Sequence, residues 1–316
     1  MKGNIDAGMV VDVVVATYNA GDFLYEQLES ILNQTYKNIR VLIRDDGSTD
    51  GTIDNIKDFT LRDNRVIFIQ DALPAKGVGE NFKQLLKHCS AEYVLLADQD
   101  DVWYLDKIEK LLAYATEHFD NSKPCIAYAP GVVTDDNLKS LGKLTDTQLK
   151  IRSIEDIFLM NGGVQGCAMI INKSLYSMAI KSDFFWYMHD QVLSLYAICF
   201  GCISFMENPL FLYRQHGRNV IGFNSSTVAL KLKKYISPSS STFLIKKSSN
   251  DLFADFLSFE LNNLTNDKKI IFKKYFKSKN TKLSFLVFIV KYRIKLHHSV
   301  LDAMVKLFLT NEVVEH

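Results

Sequence analysis

The chain has 316 residues, of which 47% are hydrophobic and 23% are charged. This balance is that of a globular protein with a full core, and it excludes a disordered or fibrous chain. The 15 glycines and 5 prolines are too few for a collagen-like or low-complexity sequence. The length fits one large α/β domain with an appendage, or two modest domains.

Charge is divided unevenly along the chain, although its formal sum is only +1. Residues 1–227 carry 21 Lys and Arg against 29 Asp and Glu, whereas residues 228–316 carry 16 against 7. An acidic body therefore precedes a basic, aromatic-rich tail. Such a tail indicates either an anionic partner such as a membrane leaflet, or an exposed face that keeps the protein in solution.

The 5 cysteines lack the density of a disulfide framework, and the N-terminus lacks the charged and apolar regions of a signal peptide. We therefore expect a cytoplasmic protein with reduced thiols. Cys199 and Cys202 form a C-x-x-C pair, but no second pair completes a zinc site, so we expect buried thiols. The longest purely apolar run, residues 285–290, is far shorter than the roughly 20 residues of a membrane-spanning helix.

Strand and helix patterns alternate through the first hundred residues. β-Branched and aliphatic runs predict strands, and apolar residues at helical spacing predict helices between them. The predicted strands cover residues 10–15, 39–43, 65–69 and 93–97, and the predicted helices include residues 23–34 and 81–88. This succession predicts an α/β fold whose mostly parallel, Rossmann-like sheet is flanked by helices.

The alternation loosens after Tyr114. Strands are predicted over residues 125–129, 168–171 and 210–213, and helices over residues 154–160 and 187–200. Strand patterns stop after Asn219, residues 237–242 predict a flexible linker, and residues 283–309 predict basic, apolar helices. We therefore expect a body of residues 1–222 and a mainly helical extension of residues 223–316.

Acidic residues cluster where the predicted parallel strands end. Asp45 and Asp46 follow the second strand, and Asp98, Asp100 and Asp101 follow the fourth. Ligands of open α/β sheets bind at these ends, and so many carboxylates would repel each other without a cation or a donor-rich ligand. Asp45 alone also fits a turn or a helix cap. An Asp-x-Asp segment offers oxygen ligands to Mg²⁺ or Mn²⁺, which usually bridge to phosphates, so we expect a diphosphate ligand.

Five short motifs in chain order carry a resemblance to a known family. They are Thr17-Tyr18-Asn19, Asp45-Asp46-Gly47-Ser48-Thr49-Asp50, Asp98-Gln99-Asp100-Asp101-Val102-Trp103, His189-Asp190-Gln191 and Tyr213-Arg214-Gln215-His216-Gly217-Arg218-Asn219. In this order they resemble the motifs of family 2 glycosyltransferases with the GT-A fold, over residues 9–222. The third and fifth motifs are most similar to those of the bacterial rhamnosyltransferase-like branch.

The resemblance implies a metal-dependent, inverting sugar transfer from a nucleotide-diphospho-sugar. It assigns the donor nucleotide to Thr17, Tyr18, Asn19, Asp45, Asp46 and Asp98, the metal (Mg²⁺ or Mn²⁺) to Asp100 and His216, and the general base to Asp190. Asp46 would accept a hydrogen bond from a pyrimidine N3, and Asp98 would face the ribose. The implied donor is dTDP-L-rhamnose, with a UDP-hexose as the alternative. The implied acceptor is a glycan or lipid-linked glycan in bacterial surface polysaccharide or O-antigen synthesis, and we expect no nucleic-acid partner.

Six further residues are weaker predictions for substrate contacts: Lys76, Asn81, Trp103, Gln165, His189 and Arg214. Trp103 and His189 also fit packing roles, and Arg214 fits either a donor phosphate or a strand-end acid. Asp190 also fits a helix N-cap, and His216 also fits a structural histidine. The segment 75–82 departs from the family's Asn-x-Gly loop, because Ala75 or Lys76 stands where an Asn is usual.

Other classes of protein fit the sequence less well. A sugar-nucleotide pyrophosphorylase would need a Gly-rich, basic loop after the first strand, which residues 16–21 lack. A phosphoacceptor receiver would need a lone Asp after the third strand, where Gln70 and Asp71 stand. A non-catalytic nucleotide-sugar-binding module would tolerate loss of the base, yet Asp190 is present. The basic tail either holds the protein at the inner leaflet, packs on the body or mediates dimerisation.

Overall fold

The computed structural model describes residues 8–71, 73, 76–145, 151–217, 242–296 and 299–315. Backbone proximity divides the chain into two units. Counting described residues only, the first comprises Met1–Thr147, Val164–Lys181 and Trp186–Val220, and the second Gln148–Gly163, Ser182–Phe185 and Ile221–His316. The boundary expected at residue 222 lies outside the described residues, so the division into 1–222 and 223–316 stays a prediction.

The first unit alternates strands and helices, as the sequence predicts. Its strands are β1 (Val11–Thr17), β2 (Ile39–Asp45), β3 (Val66–Phe68), β4 (Tyr93–Ala97), β5 (Val102–Trp103), β6 (Cys125–Tyr128), β7 (Gly131–Thr134), β8 (Ser140–Leu144), β9 (Met169–Asn172), β10 (Cys202–Phe205) and β11 (Phe211–Arg214). Its helices are α1 (Phe23–Leu32), α2 (Thr52–Arg62), α3 (Val78–Lys87), α4 (Lys107–His118), α5 (Lys173–Ala179) and α6 (His189–Phe200).

A seven-stranded sheet in the order β10-β6-β9-β4-β1-β2-β3 forms the centre of this unit. β9 runs antiparallel to both of its neighbours, and the other pairings are parallel. All seven residues of β1 are buried, which explains its run of valines, and the one buried charge in the strand, Asp12, is paired with Arg40. The register places Thr17 opposite Asp45 and Val15 opposite Ala97, so the carboxyl ends of β1, β2 and β4 meet at one edge. The predicted α/β fold with a mostly parallel sheet is confirmed.

A second sheet, in the order β5-β11-β7-β8, brings the last described motif beside the Asp-x-Asp segment. β5 follows Asp101 directly and pairs antiparallel with β11, with Trp103 opposite Phe211. β11 pairs in parallel with β7, and Arg214 lies opposite Thr134. Two motifs more than a hundred residues apart in sequence are therefore adjacent in the first unit.

The second unit is mainly helical around an aromatic core. It contains α7 (Lys247–Phe259), α8 (Asn266–Ser278), α9 (Lys282–Tyr292), α10 (Val300–Leu309), β12 (Phe243–Ile245) and β13 (Glu312–Val314). The ring of Phe158 packs against four rings at centroid distances from 4.9 to 5.7 Å, those of Phe253, Phe272, Tyr275 and Phe288. No helix of the described residues combines the length and apolarity needed to cross a bilayer.

Two sequence predictions for this unit are wrong. Residues 154–160 do not form an α-helix: Ile154–Asp156 is a single 3₁₀ turn, and turns follow it. Ile157, Phe158 and Leu159 are all buried, and three consecutive buried side chains do not lie on one face of a surface helix. Strands also occur after Asn219, since β12 and β13 pair in parallel. Of the linker predicted at 237–242, all but Thr242 lies outside the described residues.

Candidate functional site

The carboxylate of Asp45 holds the turn that follows β2. Its Oδ1 accepts the N–H groups of Gly47 at 3.0 Å and Ser48 at 2.7 Å. Its Oδ2 accepts the hydroxyls of Thr17 at 2.8 Å and Ser48 at 2.6 Å. Gly47 has a φ of 90°, a conformation that favours glycine. Thr17 and Asp45, both predicted to serve the donor nucleotide, thus build the turn between the ends of β1 and β2.

The backbones of Tyr18 and Asn19 are fixed from two sides. The amide of Gln99 accepts the N–H of Tyr18 at 2.7 Å and donates to its carbonyl at 3.1 Å. Asn19, with a φ of 46°, donates its N–H to the Ser48 hydroxyl and accepts the N–H of Thr49. The Tyr18 side chain is 57% exposed. A ligand bound at the carboxyl edge of the sheet can therefore contact the exposed ring of Tyr18, whose backbone is held in place.

Asp46 is buried beneath the loop that begins α3. Its two oxygens accept the N–H groups of Lys76 at 3.3 Å and Gly77 at 2.8 Å, and Oδ1 lies 3.5 Å from Nη1 of Arg44. Lys76 itself has an exposed side chain. An ionised carboxylate has about four acceptor positions, so Asp46 retains capacity for one further donor.

Sequence analysis did not identify Arg44 and Asp71, which complete this part of the site. The buried guanidinium of Arg44 makes two hydrogen bonds to Asp71, at 3.0 and 2.8 Å. These bonds raise the pKa of Arg44 and lower that of Asp71. Asn81 exchanges two hydrogen bonds with Arg44, both at 3.1 Å, so its amide supports the arginine. An arginine directly before the Asp45-Asp46 motif, at the end of a mostly buried strand, was the signal that could have revealed this cluster.

Three ionisable groups lie close together under the Asp-x-Asp segment. Asp101 and Lys107 are fully buried, Asp98 is half-buried, and the Lys107 ammonium donates to the carbonyl of Cys167 at 2.6 Å. Burial, with the charge of Asp100, raises the pKa of Asp98 to about 7 and raises that of Asp101. Burial lowers the pKa of Lys107 to about 8. The ammonium offsets carboxylate charge that would otherwise be costly to bury.

Trp103 belongs to the interior rather than to an open sugar site. Its side chain is buried, and the Lys107 Nζ lies 3.9 Å from the centroid of its ring. The same Nζ lies 4.3 Å from the centroid of the Phe211 ring. The sequence left a sugar contact and core packing open for Trp103. The buried ring is out of reach of a sugar, so the structure supports core packing.

Among the described residues, two sets of side chains have the chemistry of metal ligands. In the first, Asp98, Asp101 and Cys167 place one ligand atom each within 4.8 Å of the others. This set suits Mg²⁺ or Mn²⁺ poorly, because burial raises the pKa of the Cys167 thiol and a lysine ammonium already neutralises the region. Sulfur is also a soft ligand, whereas these ions prefer oxygen.

The second set consists of Asp100 and His216, as the resemblance implies. Asp100 Oδ2 and His216 Nε2 are 2.8 Å apart. The two side chains hydrogen-bond directly at this distance, and neighbouring ligands of an octahedral ion at about 2.1 Å are about 3 Å apart, so a cation could replace the bond with little movement of either group. The imidazole packs against the ring of Phe23, with 4.7 Å between centroids. The residues present therefore fit the implied metal.

Arg214 ties the last motif to the Asp-x-Asp segment through the main chain. Its Nε donates to the carbonyl of Asp100 at 2.9 Å, and its backbone N–H donates to Asp101 Oδ1 at 3.3 Å. Its guanidinium also pairs with Glu26 and donates to the carbonyl of Asp136. The guanidinium thus pairs with a helix acid rather than with a strand-end carboxylate. Arg218 and Asn219 of this motif lie outside the described residues.

Helix α6 carries the predicted base in its first turn. The helix begins at His189 with Met188 in the N-cap position, so Asp190 is not the cap. Asp190 is buried, and its negative charge helps to raise the pKa of Asp98, which places the two carboxylates in one electrostatic environment. The predicted base therefore belongs with the strand-end acids.

His189 is buried against Phe82 and Gly166. Its ring packs on Phe82 with 3.7 Å between centroids, and neither ring nitrogen has a hydrogen-bond partner among the described residues. A β-carbon on Gly166 would lie 2.1 Å from Nε2, so this position requires glycine. Gln165 precedes Gly166 and is half-buried. Burial lowers the pKa of His189 to about 3, so the ring is neutral in the folded protein.

A family model and two relatives all identify similarity to glycosyltransferases. A family model described as "Glycosyl transferase family 2" matches residues 12–178, just over half of the chain. The chain is 29% identical over 243 residues to the dTDP-rhamnosyl transferase RfbG of Shigella flexneri, covering 67% of this chain and 75% of the relative. It is 37% identical over 105 residues to the UDP-Glc:alpha-D-GlcNAc-diphosphoundecaprenol beta-1,3-glucosyltransferase WfaP of Escherichia coli, covering 33% of this chain and 41% of the relative.

Solved structures share the fold at low sequence identity. Residues 1–349 of S. aureus TarS, crystallised with UDP-GlcNAc, match with a TM-score of 0.55 at 16% identity, covering 95% of this chain and 90% of TarS 1–349. The mannosyltransferase PcManGT from Pyrobaculum calidifontis, in complex with GDP-Man and Mn²⁺, matches with a TM-score of 0.52 at 14% identity, covering 95% and 85%. These likenesses establish the fold.

Replacing His189 by leucine should remove part of the pH dependence of stability. An unfolded histidine takes up a proton near pH 6.5, whereas the folded ring does so only near pH 3. Between these values the unfolded chain binds the extra proton, so stability falls as the pH falls. This residue alone should cost the wild type about 2 kcal/mol of unfolding free energy between pH 7 and pH 5.

Urea unfolding at both pH values measures this difference. His189→Leu should lose about 2 kcal/mol less than the wild type on acidification, whatever its stability at pH 7. The exposed residue His118 provides the matched control, and His118→Gln should follow the wild type. An equal pH dependence in wild type and His189→Leu would contradict the buried, neutral ring.

Proposed function

Since the chain belongs to glycosyl transferase family 2, we propose that it transfers L-rhamnose from dTDP-L-rhamnose, with a divalent metal and inversion at the anomeric carbon. The observation that carries this proposal is the contact between Asp100 and His216, 2.8 Å apart beside the motif that follows β4. The acceptor would be a glycan or a lipid-linked glycan of a bacterial surface polysaccharide such as an O-antigen.

The choice of donor rests on relatives. The family model and the relatives support a nucleotide-sugar transferase of this family. The Shigella relative, whose match spans two thirds of this chain, supports the rhamnosyl assignment. The Escherichia coli relative, which uses UDP-glucose, matches a third of the chain at higher identity. A UDP-hexose is therefore the second candidate donor, with the same fold and the same roles for the site residues.

The metal would be held by Asp100 and His216 and would neutralise the charge that grows on the departing diphosphate. Arg214 holds the carbonyl of Asp100, which orients the carboxylate toward His216. The turn built by Asp45 and the clamp of Gln99 on Tyr18 would keep the nucleotide pocket rigid. Such preorganised positions reduce the reorganisation needed when the donor binds.

Asp190 would act as the general base. In an inverting transfer the acceptor hydroxyl attacks the anomeric carbon directly, and its proton must go to a base on the acceptor side. Asp190 Oδ1 accepts a backbone N–H at 2.6 Å, and the first turn of a helix stabilises a carboxylate in its charged form. A charged carboxylate can take the proton as the new glycosidic bond forms.

The last two helices of the second unit support association with an anionic lipid surface. On α9, Leu283, Val287 and Val290 are exposed and spaced by four and three residues, which places them on one helix face. On α10, Leu301, Val305 and Phe308 repeat this spacing, and the six side chains are 48% to 74% exposed. Single exposed apolar residues are ordinary, but two complete stripes are not.

The charge around these stripes favours anionic lipid over another protein surface. The basic residues of this region are Lys282, Lys291, Arg293, Lys295 and Lys306, while the two helices contain one acidic residue, Asp302. Apolar side chains insert at the headgroup boundary, and each basic residue near an anionic leaflet contributes about 1 kcal/mol. A lipid-linked acceptor would be met at the same surface.

Donor binding should depend on metal and on Asp100. Calorimetric titration with dTDP-L-rhamnose, UDP-glucose and UDP-galactose, each with Mn²⁺ and with chelator, should give the tightest binding for dTDP-L-rhamnose with Mn²⁺. Asp100→Asn should weaken that binding at least about tenfold, because it removes a charged ligand of the metal. The exposed residue Asp54 supplies the control, since Asp54→Asn should bind as the wild type does.

The outcomes of this titration separate the parts of the proposal. Tighter binding of a UDP-hexose would replace rhamnose as the donor and leave the metal and base assignments in place. Equal affinity with Mn²⁺ and with chelator would overturn the metal assignment. Absence of binding for all three donors would contradict the nucleotide-sugar site.

Asp190→Asn should lower turnover by about 10²- to 10⁴-fold, the usual contribution of a positioned base. Asparagine has nearly the same shape but cannot take the proton, so donor affinity should stay within twofold of the wild type. Transfer rates and donor titration measure the two effects separately. Asp183→Asn, at an exposed position, should retain wild-type turnover, and full activity of Asp190→Asn would remove the residue from the mechanism.

The full chain should cosediment with vesicles that contain phosphatidylglycerol and not with vesicles of phosphatidylcholine alone, and high salt should weaken the binding. Leu301→Ser combined with Phe308→Ser should reduce vesicle binding at least about fivefold, since two inserting side chains are lost. Leu61 is 87% exposed on α2, and Leu61→Ser is the matched control. If the double variant instead converts a dimer to a monomer and binds vesicles normally, the stripes serve self-association.

A further inference from the structure

Two thiols face each other at the start of neighbouring strands in the first unit. Cys125 is the first residue of β6, Cys202 is the first residue of β10, and the parallel register places them directly opposite. Their sulfur atoms are 3.2 Å apart and share a hydrogen bond, and both residues are present as thiols. The residues are 77 positions apart in sequence, so the fold alone creates this pair.

The backbone geometry of this pair permits a covalent bond. Opposed residues of adjacent strands project to the same face of the sheet, and neighbouring strands are about 4.8 Å apart. Disulfides span Cα separations of about 4.4 to 6.8 Å, so the two strands need not separate for the bond to form. Parallel strands also place both cysteines at the amino edge, opposite the edge where Asp98 and Asp100 lie.

The two sulfurs differ in access and in acidity. Cys202 is half-buried, and Cys125 is buried. The hydrogen bond that Cys202 shares with Cys125, helped by Ser204 and the charge of Lys123, lowers the pKa of Cys202 to about 7. The same bond and burial raise the pKa of Cys125. Cys202 is thus the more acidic and more accessible thiol, which makes it the better nucleophile at neutral pH, and Cys125 is placed to resolve an intermediate on it.

The other three cysteines do not combine an accessible thiol with a lowered pKa. Burial raises the pKa of Cys89 and of Cys167, which disfavours their thiolates. Cys199 is buried on α6. Because thiol–disulfide exchange proceeds through the thiolate, reaction with an external disulfide should select Cys202.

We propose that Cys125 and Cys202 form a thiol-modification site that a low-molecular-weight disulfide, such as glutathione disulfide, converts reversibly to an intramolecular disulfide. The Cys202 thiolate attacks one glutathione sulfur, forms a mixed disulfide and expels one glutathione thiolate. The Cys125 thiol, on losing its proton to solvent, attacks the Cys202 sulfur and expels the second glutathione thiolate. The two cysteines are oxidised by two electrons, and one glutathione disulfide is reduced to two thiols.

The bond would tie down an edge strand. In the part of the chain that the structure describes, β10 pairs only with β6, and the chain runs from β10 to β11, which carries Arg214. A cross-link between β6 and β10 closes a loop of 77 residues. The oxidised protein should therefore resist denaturant and protease better than the reduced protein.

The first experiment measures thiol reactivity on the reduced full-length chain. Iodoacetamide labelling, followed by peptide mass spectrometry, should modify Cys202 at pH 7 at least about tenfold faster than Cys89, since half of a thiol with a pKa near 7 is thiolate at that pH. The Cys202 rate should rise with pH and level off above pH 8. A Cys202 rate equal to that of Cys89 would overturn the assignment of the nucleophile.

The second experiment tests the pair. Incubation with glutathione disulfide should give one cross-linked peptide containing Cys125 and Cys202, and dithiothreitol should reverse it. Cys125→Ser should stop at a stable glutathione adduct on Cys202, and Cys202→Ser should form neither product. The control Cys89→Ser should give the same cross-link as the wild type, and circular dichroism checks that each variant is folded.

Three results would overturn the proposal. They are a wild-type chain that keeps both thiols under excess glutathione disulfide, a cross-link between other cysteines, and an adduct on Cys125 in place of Cys202. None of these results depends on sugar transfer, so the proposal stands or fails separately from the donor and the base.

Discussion

The buried ammonium of Lys107 is the charge on which the arrangement at the end of β4 depends. Asp98 and Asp101 lie in the same enclosed region, and a buried carboxylate without a partner costs several kcal/mol. Lys107 offsets this charge from inside the protein, and its bond to the Cys167 carbonyl anchors the loop that packs Gly166 on α6. Lys107 thus offsets the charge of the inner acids, whereas Asp100 faces His216, the pair proposed to hold the cation.

Most polar residues of the motifs act on the backbone. Asp45 uses both oxygens within its own turn, Gln99 clamps Tyr18, and Asp46 holds the start of the α3 loop. The loops that follow parallel strands have backbone N–H groups and carbonyls that form no hydrogen bonds within the sheet. These groups need side-chain partners instead. Many motif residues that look catalytic in sequence therefore build a rigid frame, whereas Asp100, His216 and Asp190 are the residues to which the proposed function gives a chemical role.

The sheet could be predicted from the sequence because strands buried on both faces are rich in consecutive apolar residues, such as the valines of β1 and the whole of β4. The strand-end acids followed from the same pattern. The helix predicted over residues 154–160 failed because Phe158 and its neighbours are buried on several sides by α7, α8 and α9, which no local periodicity reveals. The pairing of Lys107 with Asp101, and of Asp71 with Arg44, depends on tertiary contacts. The sequence contains many charged residues, and nothing in it indicates which of them pair.

The cysteines show why sequence proximity is a poor guide to chemical pairing. The C-x-x-C pattern joins Cys199 to Cys202, yet α6 ends between them, and β10 begins at Cys202. Between the two elements, Gly201 packs so closely on the Pro124 carbonyl that a β-carbon would lie 1.8 Å from its oxygen. That turn leaves Cys199 on the helix and brings Cys202 opposite Cys125. The strands of a parallel sheet begin at one edge and end at the other, so the two edges carry different residues. The register of β6 and β10 places both thiols at the edge where these strands begin. The acids at the carboxyl edge and the thiols at the amino edge are thus consequences of one strand direction.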